Sequence, residues 1–253
     1  MSQAPHSPAT AASGASRAAS IYTTLAAGRD YRSELSIKRS RFITVLRRVD
    51  DEAGARVLET ELRHEFYGAR HHCSALVLGA QREIIRSHDD GEPAGTAGVP
   101  MLGSLLKYEA PAREENGAAP NTHLPTAKLS DVCAVVVRYF GGTLLGAGGL
   151  VRAYSDSVSG ALASASLVRR ERLQRFTVAL AHGDAGRIEN ELRSAGYSMT
   201  GNSYGAQETK IGFAVADQAA VIDAVADRLA SLTGGHANLV PAGSSWVDSP
   251  PLG

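Results

Sequence analysis

The sequence predicts an α+β protein built from two units, and three observations support this class. First, stretches with the alternation of strands and stretches with the 3.6-residue period of helices follow one another along most of the chain. Second, these elements fall into the orders β-α-β-β-α-β-α and then β-α-β-β-α-β, rather than into strictly alternating βα units. Third, 253 residues, of which 43% are hydrophobic, suffice for one or two cores.

The chain begins with a segment that we predict to be a tail, residues 1–29. Ala and Ser dominate it, and its first twenty residues contain no acidic side chain. It lacks the apolar stretch of a secretory signal, so a disordered Ala/Ser-rich tail is the expectation.

The first unit is predicted over residues 30–168. It begins with one long strand at 31–49, after which Asp50 or Asp51 supplies the N-cap of a helix ending at Gly68. The elements that follow are a strand at 72–78, its hairpin partner at 82–87, a helix at 99–108, a strand at 131–139 and a helix from about 149 to 167. The strand at 131–139 is an unbroken apolar run, which is typical of burial on both faces. Residues 110–128 hold three Pro and no periodicity, so they are predicted to be a loop insertion.

The second unit is predicted over residues 172–248. Its strands are expected at 173–180, 197–199, 209–215 and 237–247, and its helices at 184–196 and 217–232. This order is the ferredoxin-like split βαβ arrangement. Within it, Gly201-Asn-Ser203-Tyr-Gly205 has the spacing of a hydrolase nucleophile elbow, but a strand follows instead of a helix, so a hairpin turn is predicted.

Charge and composition exclude several classes of protein. The 26 basic and 26 acidic residues cancel, which excludes a strongly cationic nucleic-acid coat protein. The purely apolar run that includes 133–137 is far short of the roughly 18 residues of a membrane span. Two cysteines cannot form a disulfide framework, so a reduced, cytoplasmic protein is expected.

The glycines concentrate in two segments, 88–98 and 138–154, each of which is predicted to join a strand to a helix. Glycine there permits positive φ and close approach of another group. The second segment places three glycines at a helix start, where unpaired N–H groups favour an anion, between Arg138 and Arg152. Binding of an anion or partner and a purely architectural role in tight turns both remain open.

Named cofactor motifs are absent from both segments. Val151 stands where the dinucleotide fingerprint needs glycine, and Ala147 stands where a phosphate loop needs lysine, so no cofactor is predicted. Asp89, Asp90 and Glu92 have the oxygen donors to hold Mg²⁺, or they cap turns and a helix. A histidine cluster, His64, His71, His72 and His88, lies nearby in the sequence together with Cys73. Zinc binding by this cluster and a nucleophilic Cys73 are two further alternatives, and both are weaker than a structural role.

Basic residues form two runs. The first comprises 38–41 with Arg47 and Arg48, and the second comprises 169–175, whereas residues 176–253 carry a net charge of −4. Arginine suits planar contacts with phosphate or carboxylate, and the alternative is a solvated surface.

The two glycine segments resemble the signatures of the IMPACT/YigZ family. They are Asp89-Asp-Gly-Glu-Pro-Ala-Gly-Thr-Ala-Gly98 and Arg138-Tyr-Phe-Gly-Gly-Thr-Leu-Leu-Gly-Ala-Gly-Gly-Leu-Val-Arg-Ala-Tyr154. The resemblance extends over about residues 30–245 and implies an N-terminal domain like the second domain of a small-subunit ribosomal protein. It also implies a C-terminal ferredoxin-like domain similar to one in translation elongation factor G. Ala94 stands where the family usually has serine, which argues against a serine hydroxyl acting at that loop.

The resemblance implies a non-enzymatic cytoplasmic regulator of translation that binds RNA, the ribosome or a translation-associated protein. The alternative is a Mg-dependent hydrolase or transferase that acts on a phosphorylated substrate at the two loops. No membrane partner and no reading of DNA sequence are expected. The candidate binding residues are Lys38, Arg39, Arg41, Asp89, Asp90, Gly91, Glu92, Gly95, Thr96, Gly98, Arg138, Tyr139, Gly141, Gly142, Gly146, Gly148, Gly149 and Arg152.

Overall fold

A computed structural model describes residues 20–108 and 128–252 of the chain. In these residues the fold is α+β, as predicted, with helices and two five-stranded antiparallel sheets. The strands are β1 Ile21–Leu25, β2 Tyr31–Ile37, β3 Ser40–Arg48, β4 His71–Leu78, β5 Ile84–His88, β6 Val132–Tyr139, β7 Leu167–Ala181, β8 Ser198–Tyr204, β9 Glu208–Ala216 and β10 Leu239–Leu252. The helices are α1 Glu52–Glu65, α2 Gly98–Lys107, α3 Ala147–Ala163, α4 His182–Ser194 and α5 Ala219–Thr233. None of the helices in these two ranges is both long and apolar enough to cross a membrane.

The N-terminal sheet has the strand order β2-β3-β6-β4-β5 and is covered on both faces. Successive side chains of β6 point to opposite faces. Val132, Ala134 and Val136 pack in the core under α2 and α3, whereas Cys133, Val135 and Val137 pack in the core under α1. The prediction that this strand is buried on both faces is confirmed.

The C-terminal sheet pairs β10, β7, β9 and β8 in that order. One hydrophobic core joins this sheet to α4 and α5, with Ile188, Phe213 and Leu229 fully buried in it. The element order β-α-β-β-α-β predicted for this unit is therefore the one observed. The segment at Gly201–Gly205 lies at the β8–β9 hairpin and not at a strand-to-helix turn.

The single strand predicted at 31–49 is wrong, because two strands and a hairpin turn occupy it. Ile37 pairs with Ser40, so Lys38 and Arg39 form a two-residue turn with φ of 46° and 68°. Positive φ at both positions is the type I′ geometry, which favours sequences such as Asn-Gly. Lys-Arg carries no such signal, although the four polar residues 38–41 interrupt the apolar alternation at this place.

The predicted limits of the two units also need correction. Ile21–Leu25, expected within the tail, forms β1 and pairs antiparallel with residues 167–171 of β7. Tyr22 and Leu25 are buried there, because β7 supplies a partner that lies about 145 residues further along the chain. The boundary expected at 168–172 lies inside β7, which is continuous from Leu167 to Ala181. Residues 1–19 and most of the predicted insertion, 109–127, lie outside the described residues.

Candidate functional site

The first glycine segment is organised around Asp89. Its carboxylate accepts the N–H groups of Gly95 at 2.7 Å, Ala97 at 3.0 Å and Gly98 at 2.8 Å, and so holds the start of α2. Partial burial alone would raise the pKa of Asp89, but these three donors outweigh it and lower that pKa. A Cβ at Gly98 would lie 2.7 Å from the backbone nitrogen of His88, so the close approach of backbone requires glycine there.

Asp90 is held by a different set of partners. Its φ is 45°, and its carboxylate accepts from the Arg63 guanidinium at 2.7 Å and from the backbone N–H of His72 at 2.6 Å. Burial opposes ionisation, but Arg63 and the His72 N–H lower the pKa of Asp90 below its usual value. The carbonyl of Asp90 also contacts Nδ1 of His71 at 2.9 Å.

Glu92 joins the two glycine segments. The Arg138 guanidinium donates to Glu92 Oε1 at 2.5 Å, and the Tyr154 hydroxyl donates to the same oxygen at 2.8 Å. The side chains of Glu92 and Arg138 are only 3% and 6% exposed, so this is a buried ion pair. Arg138 additionally lies against the rings of Phe42 and Phe140, 5.4 and 5.6 Å from their centroids.

Cys73 extends this buried network. Its thiol donates to the Asp89 carbonyl at 3.0 Å and lies 3.3 Å from the Tyr154 hydroxyl. Burial raises the pKa of Cys73 to about 12, so the thiolate required for nucleophilic attack does not form near neutral pH. Within residues 20–108 and 128–252, no three His, Cys, Asp or Glu side chains are grouped as a metal would require.

The second glycine segment is fixed against the β2–β3 turn. A Cβ at Gly141 would lie 2.0 Å from the carbonyl carbon of Arg39, so only glycine permits this contact. The Gly141 N–H donates to Ser40 Oγ at 3.2 Å, and the Arg39 guanidinium donates to Thr143 Oγ1 at 3.3 Å. Gly142 and Gly146 have φ of 83° and 72°, which explains glycine at both positions.

This contact produces an exposed surface of cations and apolar side chains, which we call the turn–loop surface: Lys38, Arg39, Phe140 and Leu144. Leu144 is 83% exposed and Phe140 is 46% exposed. Lys38 and Arg39 are exposed at the tip of the turn, and the described residues contain no carboxylate within ion-pair distance of either.

The start of α3 continues from this loop. Its N-cap residue is Gly146, which has no side chain to accept from the first N–H groups, and the first turn contains no acidic residue. A Cβ at Gly148 would meet open space, and Arg152 is exposed one turn further on. Neither the N-cap residue nor the first turn of α3 therefore supplies a counter-charge to the positive end of the helix dipole.

The structure separates the candidate residues into two groups. Asp89, Asp90, Glu92 and Arg138 have internal partners, as does Thr96, whose hydroxyl donates to the Pro93 carbonyl. Arg138 was predicted to contact a partner, and its burial contradicts that role. Arg41 is exposed but is paired with Glu34 at 2.9 Å and lies over the Tyr139 ring. Lys38, Arg39 and Arg152 are exposed and have no ion-pair partner among the described residues.

Sequence reasoning missed several participants. Arg63 and Tyr154 complete the internal network, together with Cys73, which the sequence analysis considered only as a nucleophile or in a zinc site. Phe140 and Leu144 complete the exposed surface. Tyr154, Phe140 and Leu144 lie in the second glycine segment, so their position in the motif was an available signal. Arg63 is a surface residue of an amphipathic helix, and nothing local in its sequence indicates a partner 27 residues away.

Comparison with known proteins gives one consistent family. The model of the Impact N-terminal domain matches residues 38–112 and 110–162. The IMPACT family member YvyE of Bacillus subtilis (strain 168) is 40% identical over 166 residues, which are 66% of this chain and 68% of that protein. The IMPACT family member YigZ of Escherichia coli (strain K12) is 40% identical over 144 residues, 56% of this chain and 61% of that protein.

A solved structure described as the crystal structure of a hypothetical protein is also similar. It shares 32% sequence identity with a TM-score of 0.54, and the match covers 87% of this chain and 97% of that one.

Proposed function

The chain belongs to the IMPACT family, and from this premise we propose that it is a non-enzymatic regulator of translation that binds RNA, the ribosome or a translation-associated protein. The turn–loop surface carries the proposal. Two unpaired cations stand beside an exposed leucine and an exposed phenylalanine, a composition suited to an anionic partner that also offers bases or apolar side chains.

Backbone strain supports the assignment of this surface. Lys38 and Arg39 both adopt positive φ, which costs non-glycine residues free energy, and Asn-Gly would form the same turn without that cost. Strained residues of this kind cluster at functional sites. The turn places two exposed cationic side chains at the tip of the hairpin, where a partner can reach them.

Binding is better supported than catalysis. The second candidate, a Mg-dependent hydrolase or transferase, gains from the convergence of the two glycine segments at Glu92 and Arg138. However, the convergence is a buried ion pair, and the oxygens of Asp89 and Asp90 already accept from backbone N–H groups and Arg63. A cation at this place must displace those donors. Titration with Mg²⁺ followed by calorimetry tests this candidate, and saturable binding would favour it.

The proposal is tested by removing the two exposed cations. Lys38→Ala with Arg39→Ala is expected to weaken association with ribosomes or single-stranded RNA and to reduce the slope of log K against log salt by about one to two units. Co-sedimentation with ribosomes and filter binding at several salt concentrations measure both effects. Leu144→Ser tests the apolar part, and it should weaken binding without changing the salt slope.

A matched control removes the same charge elsewhere. Arg187→Ala with Arg193→Ala alters two exposed arginines of α4, each paired with one carboxylate. This control should bind like the unmodified protein. Equal binding by the Lys38/Arg39 variant and the control would rule out the turn–loop surface as the contact.

A further inference from the structure

The end of the N-terminal sheet that carries the turn–loop surface also carries the connection between α1 and β4, residues 66–70. Tyr139, the last residue of β6, pairs with Arg41 near the start of β3, and the residue before it pairs with His71 at the start of β4. Because β6 lies between β3 and β4, those two strands are about 10 Å apart at roughly 4.8 Å per strand. The β2–β3 turn and the α1–β4 connection therefore lie at neighbouring positions of one sheet end.

The α1–β4 connection is a hydrogen-bonded turn that directs a tyrosine outwards. The Ala69 N–H donates to the Phe66 carbonyl at 2.9 Å, and both side chains pack against the core beneath α1. Tyr67 lies at the tip of this turn and is 89% exposed. Its ring therefore contributes little to the packing of the described chain, and both faces of the ring are accessible to another molecule.

Side-chain contacts connect this turn with the turn–loop surface. A Cβ at Gly68 would lie 3.8 Å from Cε1 of Tyr139, and the Arg41 guanidinium lies over the same ring, 5.7 Å from its centroid. The next residue after Tyr139 is Phe140, which belongs to the turn–loop surface. Tyr67, Arg70 and the turn–loop surface thus form one continuous region, which we call the sheet-end surface.

The charges of the sheet-end surface leave an excess of cations. Two carboxylates that approach it are already bound by arginines, Glu34 by Arg41 at 2.9 Å and Asp90 by Arg63 at 2.7 Å. Arg70 is exposed, and no carboxylate of the described residues lies within ion-pair distance of it. Arg70 therefore adds a third unpaired cation to the two of the β2–β3 turn.

Cations and exposed rings occur together at both turns. Lys38 and Arg39 stand beside Phe140, and Arg70 lies three residues from Tyr67. A single RNA strand alternates phosphates with unpaired bases, and such bases stack on aromatic rings with little regard to sequence. A folded protein partner buries a contiguous apolar core, whereas the rings here lie on two separate turns. The composition of the surface therefore favours RNA over a protein.

We propose that the sheet-end surface binds single-stranded RNA, with Tyr67 stacking on a base and Arg70 contacting a phosphate of the strand that also contacts the turn–loop surface. The inference rests on the proposed function and narrows its partner to one class of macromolecule. Stacking requires the ring of Tyr67 and not its hydroxyl, so phenylalanine at this position retains the contact.

Filter binding of a ten-nucleotide single-stranded RNA at several salt concentrations tests the inference. Tyr67→Ala should weaken binding about 5- to 150-fold without changing the slope of log K against log salt, because a stacking contact is lost but no charge. Tyr67→Phe should bind nearly as tightly as the unmodified protein. Arg70→Ala should weaken binding and reduce the slope by about 0.7 units, the contribution of one phosphate contact to a single strand.

The matched control is Tyr204→Ala, because Tyr204 is a 76% exposed tyrosine on β8 of the other sheet. This control should bind like the unmodified protein. An RNA duplex of the same length provides a second arm, since it offers phosphates but no free base faces, and Tyr67→Ala should leave its binding unchanged. Circular dichroism checks that each variant is folded.

Three results would overturn the inference: equal affinity of Tyr67→Ala and Tyr204→Ala for the single strand, equal weakening by Tyr67→Phe and Tyr67→Ala, or no saturable binding of the RNA at micromolar concentration. Failure of the inference is distinct from failure of the proposed function. Association with ribosomes that depends on Lys38 and Arg39 but not on Tyr67 would retain the proposed function and exclude the stacked RNA strand.

Discussion

Arg138 shows how burial determines what a charged residue does. Its guanidinium lies between two aromatic rings and bonds to Glu92, and its Nε is buried without a partner. Removing a charged side chain from water costs free energy, and attraction to a buried opposite charge offsets that cost only while both members of the pair are present. Arg138 therefore connects the two glycine segments rather than contacting a partner.

Removing one member of this pair should be strongly destabilising. We expect Arg138→Met to lower the free energy of unfolding by about 3–5 kcal/mol, because Glu92 is left as an uncompensated buried charge. Glu92→Gln with Arg138→Met should recover part of that loss, since no buried charge remains. Urea unfolding measures both, and Arg193→Met, at an exposed ion pair, should change stability by less than about 1 kcal/mol. A loss of the same small size for Arg138→Met would contradict the buried-pair interpretation.

His72 provides a test of pH dependence at a single residue. It is buried on β4 near Arg63 and Asp90, and neither ring nitrogen has a hydrogen-bond partner among the described residues. Burial, followed by repulsion from Arg63, lowers the pKa of His72 below its ordinary value of about 6.5, although Asp90 opposes the shift.

The sign of the effect follows from proton binding. Below about pH 6.5 the unfolded chain takes up a proton at His72 more readily than the folded chain does, so the free energy of unfolding should decrease as pH falls through this range. His72→Gln should have a flatter profile between pH 7.5 and 5.5. The measurement is urea unfolding at each pH, and comparison with the variant removes the contribution of the other histidines. Parallel profiles would contradict a lowered pKa of His72 in the folded chain, because a group with the same pKa in both states does not change stability with pH.

At the scale of elements, the β2–β3 hairpin was the main feature that the sequence pattern did not reveal. Leu35, Ile37, Phe42 and Leu46 were interpreted as one strand, although the four polar residues 38–41 separate them and the apolar positions change from odd to even across that gap. The identity of a type I′ turn normally comes from Asn or Gly, and neither is present. By contrast, Asp51 was recognisable as a cap, and its side chain accepts the Gly54 N–H at 2.7 Å.

The strain at this turn can be measured. Lys38→Asn with Arg39→Gly should raise the free energy of unfolding by roughly 1–2 kcal/mol, because both new residues adopt positive φ readily. Lys38→Ala with Arg39→Ala removes the same charges without relieving the strain, so it serves as the control and should not be stabilised. Thermal and urea unfolding report the difference. An Asn-Gly variant no more stable than the Ala-Ala variant would show that the turn stores no strain.

At the scale of the whole molecule, β7 unites the two units. Its first five residues pair with β1, and the strand continues without interruption to pair with β9, while β10 lies along its other edge. Arg48 and Arg170 also contact Asp248 across the junction. The basic run at 169–175, which follows the first unit in sequence, is therefore part of a shared sheet rather than a linker.

The sequence by itself determined the fold class, the order of most elements, the two glycine segments and the family resemblance. These depend on short-range information: side-chain periodicity, helix caps and motifs whose residues are adjacent in the chain. Only the tertiary structure decided which charges are free. Glu92 and Arg138 lie 46 residues apart in the sequence, and Asp90 and Arg63 lie 27 residues apart. No local sequence pattern therefore indicates that the two members of either pair neutralise one another. Whether a charged side chain is buried with a counter-charge or left open to a ligand is a property of packing between distant segments, and packing is what the linear sequence does not contain.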